Sequence, residues 1–183
     1  SNLNSKPYID LTLSVLSQFG VEIAHEQYSR FHIIPKPLKA TELTVPGDWS
    51  GSSFLLVAGA ICADEGLTVD NLKFESAQAD EAVLNALRAA EVRFEMGENS
   101  VRVWKSEIRA FEFDATDCPD LFPPLVALAA YCNGTSVIEG VSRLQHKESN
   151  RSITLQQEFL KMGVTVTLQD DLMLIEGGKP LKS

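Results

Sequence analysis

The chain has 183 residues, enough for one domain or two small ones with a substantial core, and its 44% hydrophobic and 22% charged residues are ordinary for a globular protein. A formal net charge of -9 speaks against general nucleic-acid binding, which needs a basic face for the phosphates, and no apolar run reaches the roughly 18 residues of a membrane span. Cys62, Cys118 and Cys132 form no CxxC pair and leave an odd count, which points to free thiols in a reducing compartment, the cytoplasm.

No charged-then-apolar signal opens the chain, and Ser1-Asn2 without Met reads as a cloning remnant or a cut inside a longer protein. Residues 11–19 carry a helical apolar stripe through Leu13, Leu16 and Phe19, with Gly20 placed to end it. Residues 21–23 and 31–33 then alternate around a polar middle as a hairpin. The same phrase returns at 80–104 and at 152–175: a helix, a short strand, a polar turn, another strand. Val21, Val92 and Val164 anchor the three copies, 71 and 72 residues apart.

Two of the copies extend further back. Thr44-Val45 and residues 111–113 read as strands, each followed by an apolar helix at 52–63 or 121–132, then by a strand at 67–69 or 135–138 after Gly66 or Gly134. One unit is therefore strand, helix, strand, helix, strand, strand, a βαβαββ repeat in an α/β (α+β) fold. The proline-containing connector at 35–40 marks a boundary. Residues 1–41 are then a partial unit belonging to another lobe, and residues 42–183 are two complete units of one lobe.

Chemistry concentrates between Cys118 and Arg151, where Arg143, His146, Lys147 and Arg151 set four potential cations within nine positions of an acidic chain. Asp120 precedes a helix whose first turn holds Pro123 and Pro124. It reads either as an N-cap or as a general base facing a pocket. Lys147, Glu148 and Arg151 stand at the entrance of the next helix, where free amides and a guanidinium fork suit a carboxylate or phosphate; the plainer reading is a solvated charged turn. Ser5-Lys6-Pro7-Tyr8 reads by itself as a polar lead-in, and residues 45–53 as a tight turn with several cap candidates. There is no GxxxxGK loop, no GxGxxG and no nucleophile elbow, and His25, His32 and His146 lack metal-ligand spacing, so neither metal nor cofactor is expected.

Four stretches, SKPYIDLTL at 5–13, VPGDWSGSSFLLVAGAI at 45–61, PDLFPPLVALAA at 119–130 and HKESNR at 146–151, together resemble the 5-enolpyruvylshikimate-3-phosphate synthase family over essentially the whole chain. The resemblance implies two lobes of three βαβαββ units each, an inside-out barrel fold, with substrates in the cleft between them. It implies transfer of the enolpyruvyl group of phosphoenolpyruvate to the 5-hydroxyl of shikimate 3-phosphate, by a monomeric parent enzyme of the shikimate pathway. Asp120 then matches the proposed proton acceptor, Glu148 the acid at the phosphoenolpyruvate methylene carbon, and Lys147 a catalytic contact to the shikimate ring. Arg151 matches an arginine that grips phosphoenolpyruvate, Ser5 and Tyr8 match shikimate 3-phosphate contacts, and Asp48 lies at the hinge. Arg143 stands where many members carry Asn, and Asn150 replaces the usual Asp of KESDR while keeping the chemistry of a helix cap. The family's GSKS lysine, GNAGTxxR arginine loop, paired phosphate-site serines and DHRMA segment have no counterpart here, so the separate chain is expected to be inactive. Two other readings stay open: enolpyruvyl transfer to a UDP-amino sugar, and a non-catalytic repeated α/β scaffold.

Overall fold

A computed structural model describes residues 3, 5–145 and 149–182. In chain order the elements are α1 (Lys6–Gln18), β1 (Ala24–Glu26), β2 (Arg30–His32), α2 (Trp49–Cys62), β3 (Leu67–Asp70), α3 (Val83–Ala89), β4 (Phe94–Met96), β5 (Ser100–Val103) and β6 (Glu112–Asp114). They continue with α4 (Phe122–Tyr131), β7 (Thr135–Glu139), α5 (Arg151–Lys161), β8 (Thr165–Gln169) and β9 (Leu172–Glu176). Short 3-10 turns at Ala79–Ala82, Pro119–Leu121 and Val141–Leu144 lead out of loops into the helices or the next loop.

The period read from the valines has a physical cause in how three helices stop. Val21, Val92 and Val164 each donate an amide hydrogen bond to the carbonyl five residues back, on Leu16, Leu87 and Phe159, at 3.0, 2.9 and 3.0 Å. The residue before each valine, Gly20, Glu91 or Gly163, is left-handed, with φ of 82, 58 and 85°. That is the Schellman stop, which satisfies orphan carbonyls at a helix end and turns the chain toward a strand. Because each valine amide is held by its helix, the strand begins one to three residues later. The first hairpin accordingly runs over 24–26 and 30–32, within the span expected from 21–33.

β3, β5 and β4 form an antiparallel sheet in that order, and β6, β7, β9 and β8 form a second, in which β6 runs parallel to β7 and the other pairs are antiparallel. The order β3-β5-β4 repeats the order β7-β9-β8. The counterpart of β6 is missing: Thr44-Val45, expected as a strand, forms none, and Val45 is 72% exposed. Pro46 next to it has no amide to donate, and the segment's backbone reaches the sheet region only at Gly47, which bonds Asn71 O.

α2 and α4 pack on each other at the centre, burying Trp49, Leu56, Val57 and Ala60 against Phe122, Leu125, Val126 and Ala129. α4 is buried nearly all round, as a uniformly apolar helix should be, whereas α2 leaves Phe54 and Leu55 about half exposed. Gly59 makes the approach to β5 possible, since a Cβ there would lie 2.5 Å from Val103 Cγ1. The core cluster is drawn from Trp49 to Ile175, while α1 contains no fully buried residue and Ile33, Ile34 and Leu38 are more than half exposed. Among the described residues no helix is long and apolar enough to cross a membrane.

Candidate active site

β6 and β7 are parallel neighbours, so the chain leaves both by the same end, the end at which open α/β sheets bind ligands. After β6 it makes an Asx turn, Thr116 N donating to Asp114 Oδ1 at 2.9 Å, and passes through the Pro119–Leu121 turn bearing Asp120. After β7 it turns at Gly140, whose φ of 105° and contact with the Thr116 backbone exclude any side chain, into the 3-10 turn bearing Arg143. Ser142 N donates to Asp171 Oδ1 at 2.6 Å and holds that turn. Arg151 is the first residue of α5, whose N-cap is Asn150: its side chain accepts from Ile153 N at 3.5 Å and from Ser152 Oγ at 2.6 Å. The capping role foreseen for Asn150 is thus present.

Among the described residues Asp120 caps neither the Pro119–Leu121 turn nor α4. Its carboxylate meets Arg151 Nη1 at 2.7 Å, with both side chains about a third exposed. The N-cap reading is corrected for a simple reason: the helix start here is a 3-10 turn followed by prolines, which leaves the carboxylate no cap geometry and turns it toward α5 instead. Asp48 does cap, accepting from Ser50 N at 3.2 Å and Gly51 N at 2.8 Å at the start of α2.

Residues 5–8 are no mere lead-in. Lys6, Pro7 and Tyr8 form the first turn of α1, with proline where its missing amide costs little. This turn lies against the loop ends of the second sheet. Arg143 Nη2 donates to Ser5 Oγ and Arg143 Nε to Thr116 O at 3.2 Å, while Ser5 N donates to Asp117 Oδ1 at 3.2 Å. Tyr8 Oη donates to Asp80 Oδ2 at 3.3 Å. Burial, then the charges of Asp80 and Asp120, raise the Tyr8 phenol well above its ordinary range, so it is a hydroxyl donor throughout the physiological range. Burial and the carboxylates of Asp80, Asp114 and Asp117 push the Cys118 thiol up to about 12, which removes it as a nucleophile.

The structure therefore brings Ser5, Tyr8, Arg143, Asp120 and Arg151 to one end of the β6–β7 pair. Lys147 and Glu148, with His146, lie outside the described residues. Asp80, Thr116 and Asp117 escaped sequence reasoning, since an acidic residue ahead of an apolar helical run looks like a helix start, and 4% exposure is what sets Asp80 apart.

All of residues 1–183 match the family model for EPSP synthase (3-phosphoshikimate 1-carboxyvinyltransferase). The chain belongs to this family. It is 42% identical over 176 residues, 96% of its length and 43% of the relative's, to the 3-phosphoshikimate 1-carboxyvinyltransferase of Thermococcus kodakarensis. It is 34% identical over 184 residues to that of Clostridium botulinum, matching 100% of this chain and 42% of the relative. Among solved structures, an EPSP synthase of Acinetobacter baumannii superposes with a TM-score of 0.73 at 21% identity, over 92% of this chain and 40% of that one. The enolpyruvyl transferase NikO from Streptomyces tendae gives 0.73 at 19% identity, over 97% and 42%. These two likenesses establish a shared mixed α/β fold. The chain spans less than half the length of the EPSP synthases it matches.

Proposed function

We propose that the chain forms one wall of a cleft in which an enolpyruvyl group passes from phosphoenolpyruvate to the 5-hydroxyl of shikimate 3-phosphate. The observation that carries this reading is the convergence of Ser5, Tyr8, Arg143, Asp120 and Arg151 at the shared end of β6 and β7. Guanidinium groups there, in a chain of net charge -9, suit two anionic substrates.

In the addition step the 5-hydroxyl oxygen bonds to C2 of phosphoenolpyruvate, its proton passes to Asp120, and Glu148 delivers a proton to the methylene carbon. The resulting tetrahedral intermediate then returns a methyl proton to Glu148 as the C2–O bond to phosphate breaks, which forms the enol ether and frees phosphate. Each positioned acid or base contributes about 10²–10⁴-fold. Arg151 holds the phosphoenolpyruvate, exchanging its Asp120 partner for the substrate; Lys147, Ser5, Tyr8 and Arg143 hold the shikimate 3-phosphate. Residues 42–183 act as two repeated units of one lobe, the first without its leading strand, residues 1–41 belong to the other, and Asp48 fixes the start of α2 at the crossing between them. The work is that of a cytoplasmic, monomeric parent enzyme needing no cofactor and no nucleic acid.

Because the chain spans less than half of its relatives, the 183 residues by themselves are expected not to turn over. Phosphate release from phosphoenolpyruvate plus shikimate 3-phosphate tests this, and turnover near the rate of a full-length relative refutes it. Tighter binding of a UDP-amino sugar than of shikimate 3-phosphate would replace the acceptor.

A further inference from the structure

We propose that Asp80 is a positioning residue: it fixes the Tyr8 hydroxyl, and through it the affinity for shikimate 3-phosphate. This rests on the reading of Tyr8 as a contact to that substrate. Three sets of contacts carry the inference.

Asp80 is a carboxylate only 4% exposed, far from the chain's usual surface acids, and it lies 72 residues from the tyrosine whose hydroxyl it accepts at 3.3 Å. A buried carboxylate is costly unless it is paired or hydrogen-bonded, so a polar task at this depth is expected.

The loop and turn that carry it are braced on their own account. Glu81 accepts from Glu75 N and Ser76 N, both at 3.0 Å, and closes the loop that precedes the turn. Gln78 accepts from Trp49 N at 2.8 Å and donates to Gly47 O at 3.0 Å, gripping the chain on both sides of Asp48. Asp80 therefore stands on a platform fixed to the start of α2 and does not depend on α1 for its place.

α1, by contrast, has no buried residue and needs external fastening. Arg143 and Asp117 fasten Ser5 at one corner of its first turn, and Asp80 fastens Tyr8 at the other. A helix turn held at two points loses little further entropy when a ligand arrives, which is how such a support adds affinity without touching the ligand. The same carboxylate also helps keep the phenol protonated, as Asp120 does from its own side.

The test uses the 183-residue chain with ring-labelled tyrosine, Tyr28→Phe and Tyr131→Phe serving to assign the Tyr8 signal. In Asp80→Asn the Tyr8 phenol is expected to titrate closer to the ordinary value near 10. Asp80→Ala and Tyr8→Phe are each expected to weaken shikimate 3-phosphate binding about ten-fold, the effect of one hydrogen bond. The double variant is expected to be no weaker than Tyr8→Phe, and Asp80→Asn, which keeps an acceptor oxygen, to recover part of the loss. An unchanged Tyr8 titration, or a further ten-fold loss when Asp80→Ala is added to Tyr8→Phe, overturns the proposal. Should Asp80→Ala fail to fold, Asp80→Asn in the same cycle decides the matter. A wild-type chain with no affinity for shikimate 3-phosphate refutes the substrate reading, while the titration still decides whether Asp80 holds the phenol.

Discussion

Gly140→Ala strikes the joint between fold and site. Gly140 has φ 105°, and a Cβ built there lies 3.0 Å from Thr116 Cα and 2.9 Å from Thr116 N, the latter closer than real Cβ atoms come to backbone. The left-handed conformation costs a residue with a Cβ about 1–2 kcal/mol, and forced displacement of the Thr116 backbone adds roughly 1–2 more. Reduced freedom of the unfolded chain returns about 0.4–1 kcal/mol. The expected net loss is about 1–3.5 kcal/mol, read as a lower urea midpoint at unchanged m. The displaced backbone also carries the carbonyl that accepts from Arg143 Nε, so the Arg143–Ser5 contact should loosen together with the fold. Amide exchange in the first turn of α1 should then accelerate beyond what the global loss explains. A loss below about 0.5 kcal/mol, within the range of neutral surface changes, would refute the account of this turn.

Three further outcomes follow from the same contacts. Glu91 occupies the left-handed helix-stop position that Gly20 and Gly163 fill in the other copies, so Glu91→Gly should stabilise by about 0.5–1 kcal/mol in chemical denaturation; destabilisation would show the stop to be miscast. Asn150→Ala should cost about 1 kcal/mol by removing the cap of α5, measured the same way, and an unchanged midpoint would contradict it. Burial pushes the Cys132 and Cys118 thiols up to about 11 and about 12. Their stabilising contribution is complete below the unfolded thiol pKa and declines as pH rises toward those values, by about 1.4 kcal/mol per pH unit per group. Unfolding free energies at pH 8 and pH 10.5 should show a smaller drop in Cys118→Ala/Cys132→Ala than in the wild type; equal drops would count against it.

What could be read in the sequence was what depends on near neighbours. The recurring valines were visible because a helix stop is built from six consecutive residues, and Asn150 because a cap reaches only three residues on. Asp120 was ambiguous because its partner, Arg151, lies 31 residues away across a whole βα unit, and local chemistry allowed a cap equally well. Asp80 was hidden for the same reason at 72 residues. Thr44-Val45 has strand composition but no partner strand, and pairing is a property of the neighbour as much as of the segment. The first turn of α1 reads in the sequence as a polar lead-in because Lys6 and Pro7 carry no apolar periodicity, although proline near a helix start is a starting signal.

The most direct measurement is a titration of the isotopically labelled 183-residue chain with shikimate 3-phosphate, followed residue by residue by NMR. Saturable shifts are expected at Ser5, Tyr8, Asp120, Arg143 and Arg151, and none of that pattern with a UDP-amino sugar. Shifts confined to other surfaces, or stronger shifts with the nucleotide sugar, would contradict the proposed function.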